Sequence, residues 1–263
     1  MTSRAAGIIA SFLERYVDIG IANKKRRNKK HHAKDTAIWD ARLPKTRTFP
    51  NTTAMTNIST QPQALFFSKL PLELRRLIYS YAFCNSSGEL ELQIAKDTVG
   101  DGHPKPFELS CPTAQQLFGF PSSCKLSHVE TAHLIYQSNT FLFPDITTFF
   151  CFQRLLPSRH FSHSIQSIHL KWNHAWRGKY FLEGVPPYNL EAWNRCWKQI
   201  AADMEGLKHV QVDIALGVPD FEEEFFTALV DVAQRVRMEV RVSWKNGGKE
   251  WPFAVRKGAE GLF

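Results

Sequence analysis

The sequence contains no C-x-x-C pair, no H-E-x-x-H, no Walker phosphate loop, no G-x-G-x-x-G turn and no G-x-S-x-G elbow. Each of those chemistries needs its residue types at a set spacing, so no zinc site, nucleotide cradle or activated serine is recognisable. Neither catalysis nor a cofactor is expected. Apolar runs are short as well: none approaches the roughly 18 residues that a membrane span needs. Cysteines are few and odd in number, with Cys84, Cys111, Cys124, Cys151 and Cys196 far apart. Without a secretory signal, that pattern fits buried thiols in a reducing compartment, and the expected location is intracellular, nuclear and/or cytoplasmic. The opening MTSRAAGIIASFLERYV has some presequence character, but Glu14 and Asp18 count against a mitochondrial address.

Net charge is also missing from most of the chain. Residues 1–68 hold 12 Lys/Arg against 4 Asp/Glu, whereas the remaining residues hold 21 of each. The whole excess of +8 thus belongs to the N-terminal stretch, and the rest of the chain offers no electrostatic argument for nucleic acid. Six of the seven residues from Lys24 to Lys30 are basic: Lys24, Lys25, Arg26, Arg27, Lys29 and Lys30. Such a run repels itself and matches a nuclear-import signal, so residues 1–64 are expected to form a disordered basic tail. Contact with nucleic acid through this run is the weaker reading, because no aromatic side chains interleave with it to stack bases.

What the chain does have is apolar periodicity, with 43% hydrophobic and 13% aromatic residues, enough for a globular core. Leu70, Leu74, Leu77, Ile78 and Tyr81 recur at helical spacing, which predicts a helix over 70–83 with Arg75 and Arg76 on its other face. Pro71 suits the first helical position and Glu73 the positive N-terminal end. Periodicity does not say whether the apolar face meets the protein's own core or a partner. LELQI at 90–94 alternates as a strand, and residues 95–112 have the prolines and turn residues of an exposed loop. A second helix is predicted at 123–137, then a strand at 139–143.

The C-terminal half repeats helix then strand three times. A helix at 145–156 precedes a strand at 164–172, in which Ile168, Leu170 and Trp172 alternate. A helix from about 190, with Asn189 as N-cap and Gly206 as C′ residue, precedes a strand at 207–216. A helix opened by Asp220 and Glu223 as a capping box buries Phe225, Leu229, Val232 and Val236 before a strand at 238–244. Repeated order of this kind predicts parallel strands joined by right-handed crossovers. The expected fold is α/β (or α+β), with helix–strand units over 145–246 forming a small, mostly parallel sheet. A domain over 65–246 would stand between tails at 1–64 and 247–263. A leucine-rich-repeat-like curved sheet and a compact α/β layer both fit, and the lack of an L-x-x-L-x-L motif favours the compact layer.

His160, His163, His169 and His174 cluster in sequence, but alternation puts His169 opposite Leu170 and the others fall in loops, so solvated side chains are preferred to a metal site. Four acids in DFEEEFF at 220–226 resemble paired catalytic carboxylates, yet a helix N-terminus attracts acids for electrostatic reasons alone. If the sheet is parallel, partner surfaces belong at the carboxyl ends of its strands. There the loop at 173–188 carries Trp176, Arg177, Tyr180, Phe181 and Tyr188, and Trp244 ends the last strand. Aromatic and arginine side chains of this kind make binding hot spots, although they can equally fold back as a local cap.

FFSKLPLELRRLIYSYAF resembles the F-box, whose first helix usually reads L-P-x-E-[LI]-x-x-x-I; Leu70, Pro71, Glu73, Leu74 and Ile78 match it. Downstream, SCKLSHVETAHLIYQSNTFLF is similar to the second signature of a group of fungal F-box-like proteins of unknown function. Cys124, Glu130, Ala132, Tyr136, Asn139, Thr140, Phe141 and Phe143 fill its places. The resemblance covers about 66–216 and implies docking of Leu70, Pro71, Glu73, Leu74 and Ile78 on the Skp-type adaptor of a cullin-RING ubiquitin ligase, with the C-terminal domain selecting a protein substrate. A full F-box has about three helices, whereas this chain shows one before a turn and a strand. Two other functions remain open: a structural or scaffolding domain in which the F-box-like helix is core, and a nuclear nucleic-acid-associated protein acting through its basic tail.

Deleting Lys24–Lys30 from a fluorescent fusion is expected to abolish nuclear enrichment in imaging; unchanged distribution would remove the import reading.

Overall fold

The structure, a computed structural model, describes residues 33–44, 64–83, 89–94, 109–110, 120, 123–156, 159–173, 187, 189–215, 222–244 and 250–258. Regular structure begins inside the stretch expected to be a tail. Residues 33–42 form helix α1, and Trp39 and Leu43 are buried against the core. Trp39 meets Phe150 edge-on at 5.2 Å, and Arg195 lies over the two rings at 4.8 and 4.7 Å. Asp40 closes the contact at 3.2 Å from Arg195 and 3.8 Å from Arg154. One tryptophan and one leucine thus anchor a segment whose surroundings are polar. Lys24–Lys30 lie outside the described residues.

Two helices follow, α2 (Leu65–Lys69) and α3 (Leu72–Phe83). Next come three short strands, β1 (Glu89–Glu91), β2 (Gln93–Ile94) and β3 (Leu109–Ser110). The single strand expected at 90–94 is interrupted at Leu92, whose amide bonds the Leu142 carbonyl at 3.0 Å, and β2 pairs antiparallel with β3. Helix α4 (Lys125–Ser138), strand β4 (Thr140–Phe143), helix α5 (Ile146–Leu155), short α6 (Arg159–Ser164) and strand β5 (Ser167–Asn173) come next. The chain continues as α7 (Leu190–Asp203), β6 (His209–Ala215), α8 (Glu222–Thr227), α9 (Val230–Ala233), β7 (Arg237–Val242) and β8 (Ala254–Lys257).

Side-chain caps set the helix starts. The Cys124 thiol accepts from the Ser127 amide at 3.3 Å, Asp145 from Thr148 at 2.8 Å and Asn189 from Ala192 at 2.9 Å. The helix expected after 220 is broken by a turn at 228–229, yet Phe225, Leu229 and Val232 are buried as the spacing predicts. Asp220 lies outside the described residues.

The main sheet has the order β1-β4-β5-β6-β7-β8, and each neighbouring pair is parallel. Strand order follows chain order, so right-handed crossovers bring the helices to one face. Rows across that face run Ile168–Val210–Met238, Leu170–Val212–Val240 and Trp172–Ile214–Val242, all buried. Over them, Trp193 packs at 4.9 Å from Trp172, 5.4 Å from Trp197 and 5.1 Å from Phe225, and its indole donates to the Phe225 carbonyl. The opposite face carries Ser167, His169, Lys171, Gln211, Asp213, Glu239 and Arg241. The predicted parallel α/β layer is therefore present, but wider than three strands. Strand β8 stands where a C-terminal tail was expected, because four residues alternating beside a turn give too little period to detect.

Gly206 follows the C-cap Met204 by two residues, not by the one expected. Its reason is space: a Cβ at 206 would lie 1.7 Å from the His163 carbonyl oxygen. Gly206→Ala should therefore lower the unfolding free energy by about 2 kcal/mol, since backbone must move to admit the methyl group. Urea unfolding followed by tryptophan fluorescence reads this; an unchanged midpoint would show that the α6–β5 turn yields freely.

Candidate docking surface

Helix α3 has two apolar faces, and the chain buries the one that periodicity ranks second. Tyr79 and Phe83 point inward and are buried, together with most of Arg75. The stripe Leu74, Leu77, Ile78 and Tyr81 is turned outward, exposed by 50%, 53%, 43% and 79%. Its spacing of three or four residues places the four side chains in one line along the helix. Val129 on α4, the helix that packs on α3, is 42% exposed. Of the five residues matched to the F-box pattern, Leu74 and Ile78 are in this line and three sit at its end: Pro71 and Glu73 are exposed, and Leu70 is half-buried.

What turns the helix this way is a polar bolt. Arg75 donates from Nε and Nη2 to both Glu130 oxygens, at 3.0 and 2.7 Å, across 55 residues of chain. Its third nitrogen donates to the carbonyls of Phe67 and Leu70, at 3.1 and 2.7 Å, where α2 ends. Tyr79 adds its hydroxyl to Glu130 at 2.8 Å. A bidentate guanidinium–carboxylate pair in a nearly dry setting is strong and directional. The hydrogen bonding of Arg75 to the Glu130 carboxylate raises the Arg75 pKa against the opposing effect of burial, while burial first and Glu130 second raise that of the Tyr79 phenol. Arg75 and Arg76, expected together on the face away from the apolar stripe, therefore differ in setting: Arg76 is exposed and Arg75 is mostly buried. At the other end of α3, buried Asn139 donates to the carbonyls of Phe83 and Ile135, at 2.8 and 2.9 Å. Glu130 and Asn139, two residues of the downstream signature, thus hold the upstream one in place.

Of the other expected partner-binding residues, the structure describes Trp244. Trp244 is 8% exposed and donates its indole N–H to Glu222 at 2.7 Å, so it caps the core and presents no surface. Trp176, Arg177, Tyr180 and Phe181 lie outside the described residues. Among the described residues no three His, Cys, Asp or Glu side chains come together as metal ligands, and no helix is long and apolar enough to cross a membrane.

One polar cluster escaped sequence reasoning. His169 does face away from Ile168, but it is 5% exposed, and its Nε2 lies 2.7 Å from the Asp213 carboxylate on the next strand. Gln211 approaches the same ring nitrogen at 2.9 Å. Burial alone would raise the Asp213 pKa, but hydrogen bonding and charge from His169, together with Arg241 and Gln211, outweigh it and hold the carboxyl below its ordinary range. Alternation marks both side chains as belonging to the polar face; that they meet depends on strand register, which pairs Lys171 with Asp213 and leaves His169 on the diagonal.

By its fold the chain is a mixed α/β protein on a six-stranded parallel sheet. The family described as a domain of unknown function, DUF7730, matches residues 84–257, and the chain belongs to that family. Comparison with curated proteins and with solved structures finds no match. The matched stretch begins directly after Phe83, so it includes Glu130 and Asn139 but not the helix they hold.

The lowered pKa of Asp213 makes stability depend on pH in a definite direction. With the folded value below the unfolded one, the contribution is complete above the ordinary carboxylate range and is lost as pH falls through it. Asp213→Asn is expected to be less stable than wild type at neutral pH and to show a shallower loss of stability between about pH 5 and pH 2. Circular dichroism at stepped pH measures this, and equal acid limbs for the two proteins would show that His169 and Asp213 are not coupled.

Proposed function

We propose that this chain is a non-catalytic protein-interaction module, an F-box-type substrate adaptor whose helix α3 docks on a Skp-type adaptor of a cullin-RING ubiquitin ligase. The outward line of Leu74, Leu77, Ile78 and Tyr81 carries this reading. Four large apolar side chains in register on one exposed helix face are a binding surface by composition, since single exposed apolar residues are normal but contiguous ones are not. Covering what remains exposed is worth on the order of 1 kcal/mol per side chain. Glu73 and Arg76, both exposed, border the stripe and supply charge at its rim. The pattern residues Leu74 and Ile78 belong to the stripe itself.

The geometry also departs from a full F-box. After α3 the chain enters β1, and the helix packed beside α3 is α4, which comes later in sequence. A partner would meet one helix backed by α4 in place of a helical hairpin. The scaffolding alternative accounts for the inner face of α3, with Tyr79 and Phe83, but gives the outer face no role. The nucleic-acid alternative rests on Lys24–Lys30, outside the described residues.

Co-precipitation with a purified Skp-type adaptor tests the proposal. Wild type should recover the adaptor, and Leu74→Ala/Ile78→Ala should recover at least about tenfold less. Both side chains are half exposed, so the thermal midpoint of the variant should move little. Failure of the wild type to recover any adaptor would refute the reading.

A further inference from the structure

Helix α1 is held much as a ligand is held. It lies outside the stretch matched by the family, whereas its seat lies inside: Phe150 and Arg154 on α5, and Arg195 on α7. The hold is narrow. Over residues 33–44 the buried side chains are Trp39, Leu43 and Pro44, and Ile38 is 46% exposed. Ten helical residues are too few to keep their shape alone in water, so α1 is a helix only while it is seated.

This occupant shows what its seat selects. Trp39 and Leu43 fall on one helix face and enter the core together. Phe150 meets the Trp39 ring edge-on, and the Arg195 guanidinium covers its face at 4.8 Å. Asp40, next in sequence, answers the charge of that guanidinium at 3.2 Å. The seat therefore reads a large aromatic, an acid directly after it, and an apolar residue three places beyond the acid.

The fit is incomplete, and each shortfall is a donor in want of an acceptor. Trp39 Nε1 and Arg195 Nε are buried with no hydrogen-bond partner. Arg154 stands 3.8 Å from the Asp40 carboxylate and 3.5 Å from its carbonyl oxygen, at the outer limit of hydrogen bonding. Two guanidiniums thus share one carboxylate that is itself 35% exposed, and an ion pair so solvated adds little. Buried donors without acceptors cost free energy, which a better-placed carboxylate would recover.

We infer that the seat of α1 is a peptide-docking site, closed in cis by α1 and opened by a partner whose helical segment has the same pattern with glutamate in the acidic place. One more methylene carries the carboxylate towards Arg154 and the unpaired Nε of Arg195. That contact is the advantage an untethered segment needs over one tied to the same chain. Assigning the segment to a recruited protein rests on the docking-module reading, in which α1 is a stand-in for the substrate.

The test uses the full chain and fluorescein-labelled peptides read by anisotropy: residues 33–44, the Asp40→Glu version of that peptide, and a scrambled control. Wild type should bind the Asp40→Glu peptide and ignore the scrambled one. In the chain, Asp40→Lys loosens α1 at a partly exposed position, and Trp39→Ala removes its anchor. Both variants should bind the Asp40→Glu peptide at least about tenfold more tightly than wild type, because the seat is vacated. Trp39→Ala/Arg195→Glu should lose that gain, yet bind an Asp40→Lys peptide better than the Asp40→Glu one, a reversal that a misfolded chain could not give. Equal binding by wild type, Asp40→Lys and Trp39→Ala would overturn the inference, as would equal affinity of Trp39→Ala for the native and Asp40→Glu peptides. A wild-type dimer that Trp39→Ala returns to monomer in size-exclusion chromatography would make a second copy's α1 the occupant, and would overturn assignment to a partner. Trp39→Ala should recover the Skp-type adaptor as wild type does, and Leu74→Ala/Ile78→Ala should bind the peptide as wild type does, so seat and stripe can each fail alone.

Discussion

The bidentate pair between Arg75 and Glu130 is the constraint on which the outward face of α3 depends. A short amphipathic helix at the edge of a domain has a choice of faces, and hydrophobic burial alone would select the richer one. Here Leu74, Leu77, Ile78 and Tyr81 are the richer face and stay outside. Rotating α3 to bury them would pull Arg75 and Tyr79 away from Glu130 and leave a carboxylate almost sealed from water with no donor. That penalty, several kcal/mol for a buried unpaired charge, exceeds the gain from covering side chains that are already half shielded. Asn139 adds a second tie at the far end of the helix, bonding the Phe83 carbonyl from a fully buried position.

The sheet gives this arrangement its frame. Because strand order follows chain order, each crossover adds a helix to the same face, and the core grows in one direction as rows of Ile, Leu, Val and Trp. One end of the helical layer is closed by α3 on α4, and the middle by α1 lying on Phe150 and Arg195. Towards the later strands the layer thins, since α8 and α9 are short and offset, and a groove remains. The face away from the helices keeps its polarity, but its centre is not simply solvated: the His169–Asp213 pair is nearly dry and holds neighbouring strands β5 and β6 together.

Much of this order is legible in the residues. Period and capping chemistry place α4, α5, α7 and the strands between them, and Asn189 caps α7 as its position suggests. The stripe on α3 is also legible as a stripe. Its direction is not, because Glu130 lies 55 residues away and local spacing cannot weigh it. Trp244 illustrates the converse error: an aromatic at a strand end suits a binding surface by composition, yet Glu222 offers its indole an acceptor and draws it inside. Helix α1 was hidden by polar neighbours, and β8 by its brevity.

The linear pattern of apolar residues, caps and breakers determined, by itself, that this chain forms alternating helices and strands and therefore a parallel α/β layer. Those features act within a few residues, so no partner is needed to express them. Only the tertiary structure decided which way α3 faces, which polar residues are buried together, and where the helical layer leaves a gap. Each of these depends on contacts between segments far apart in the chain, in which one carboxylate or one carbonyl oxygen outweighs the preference of a whole helix face.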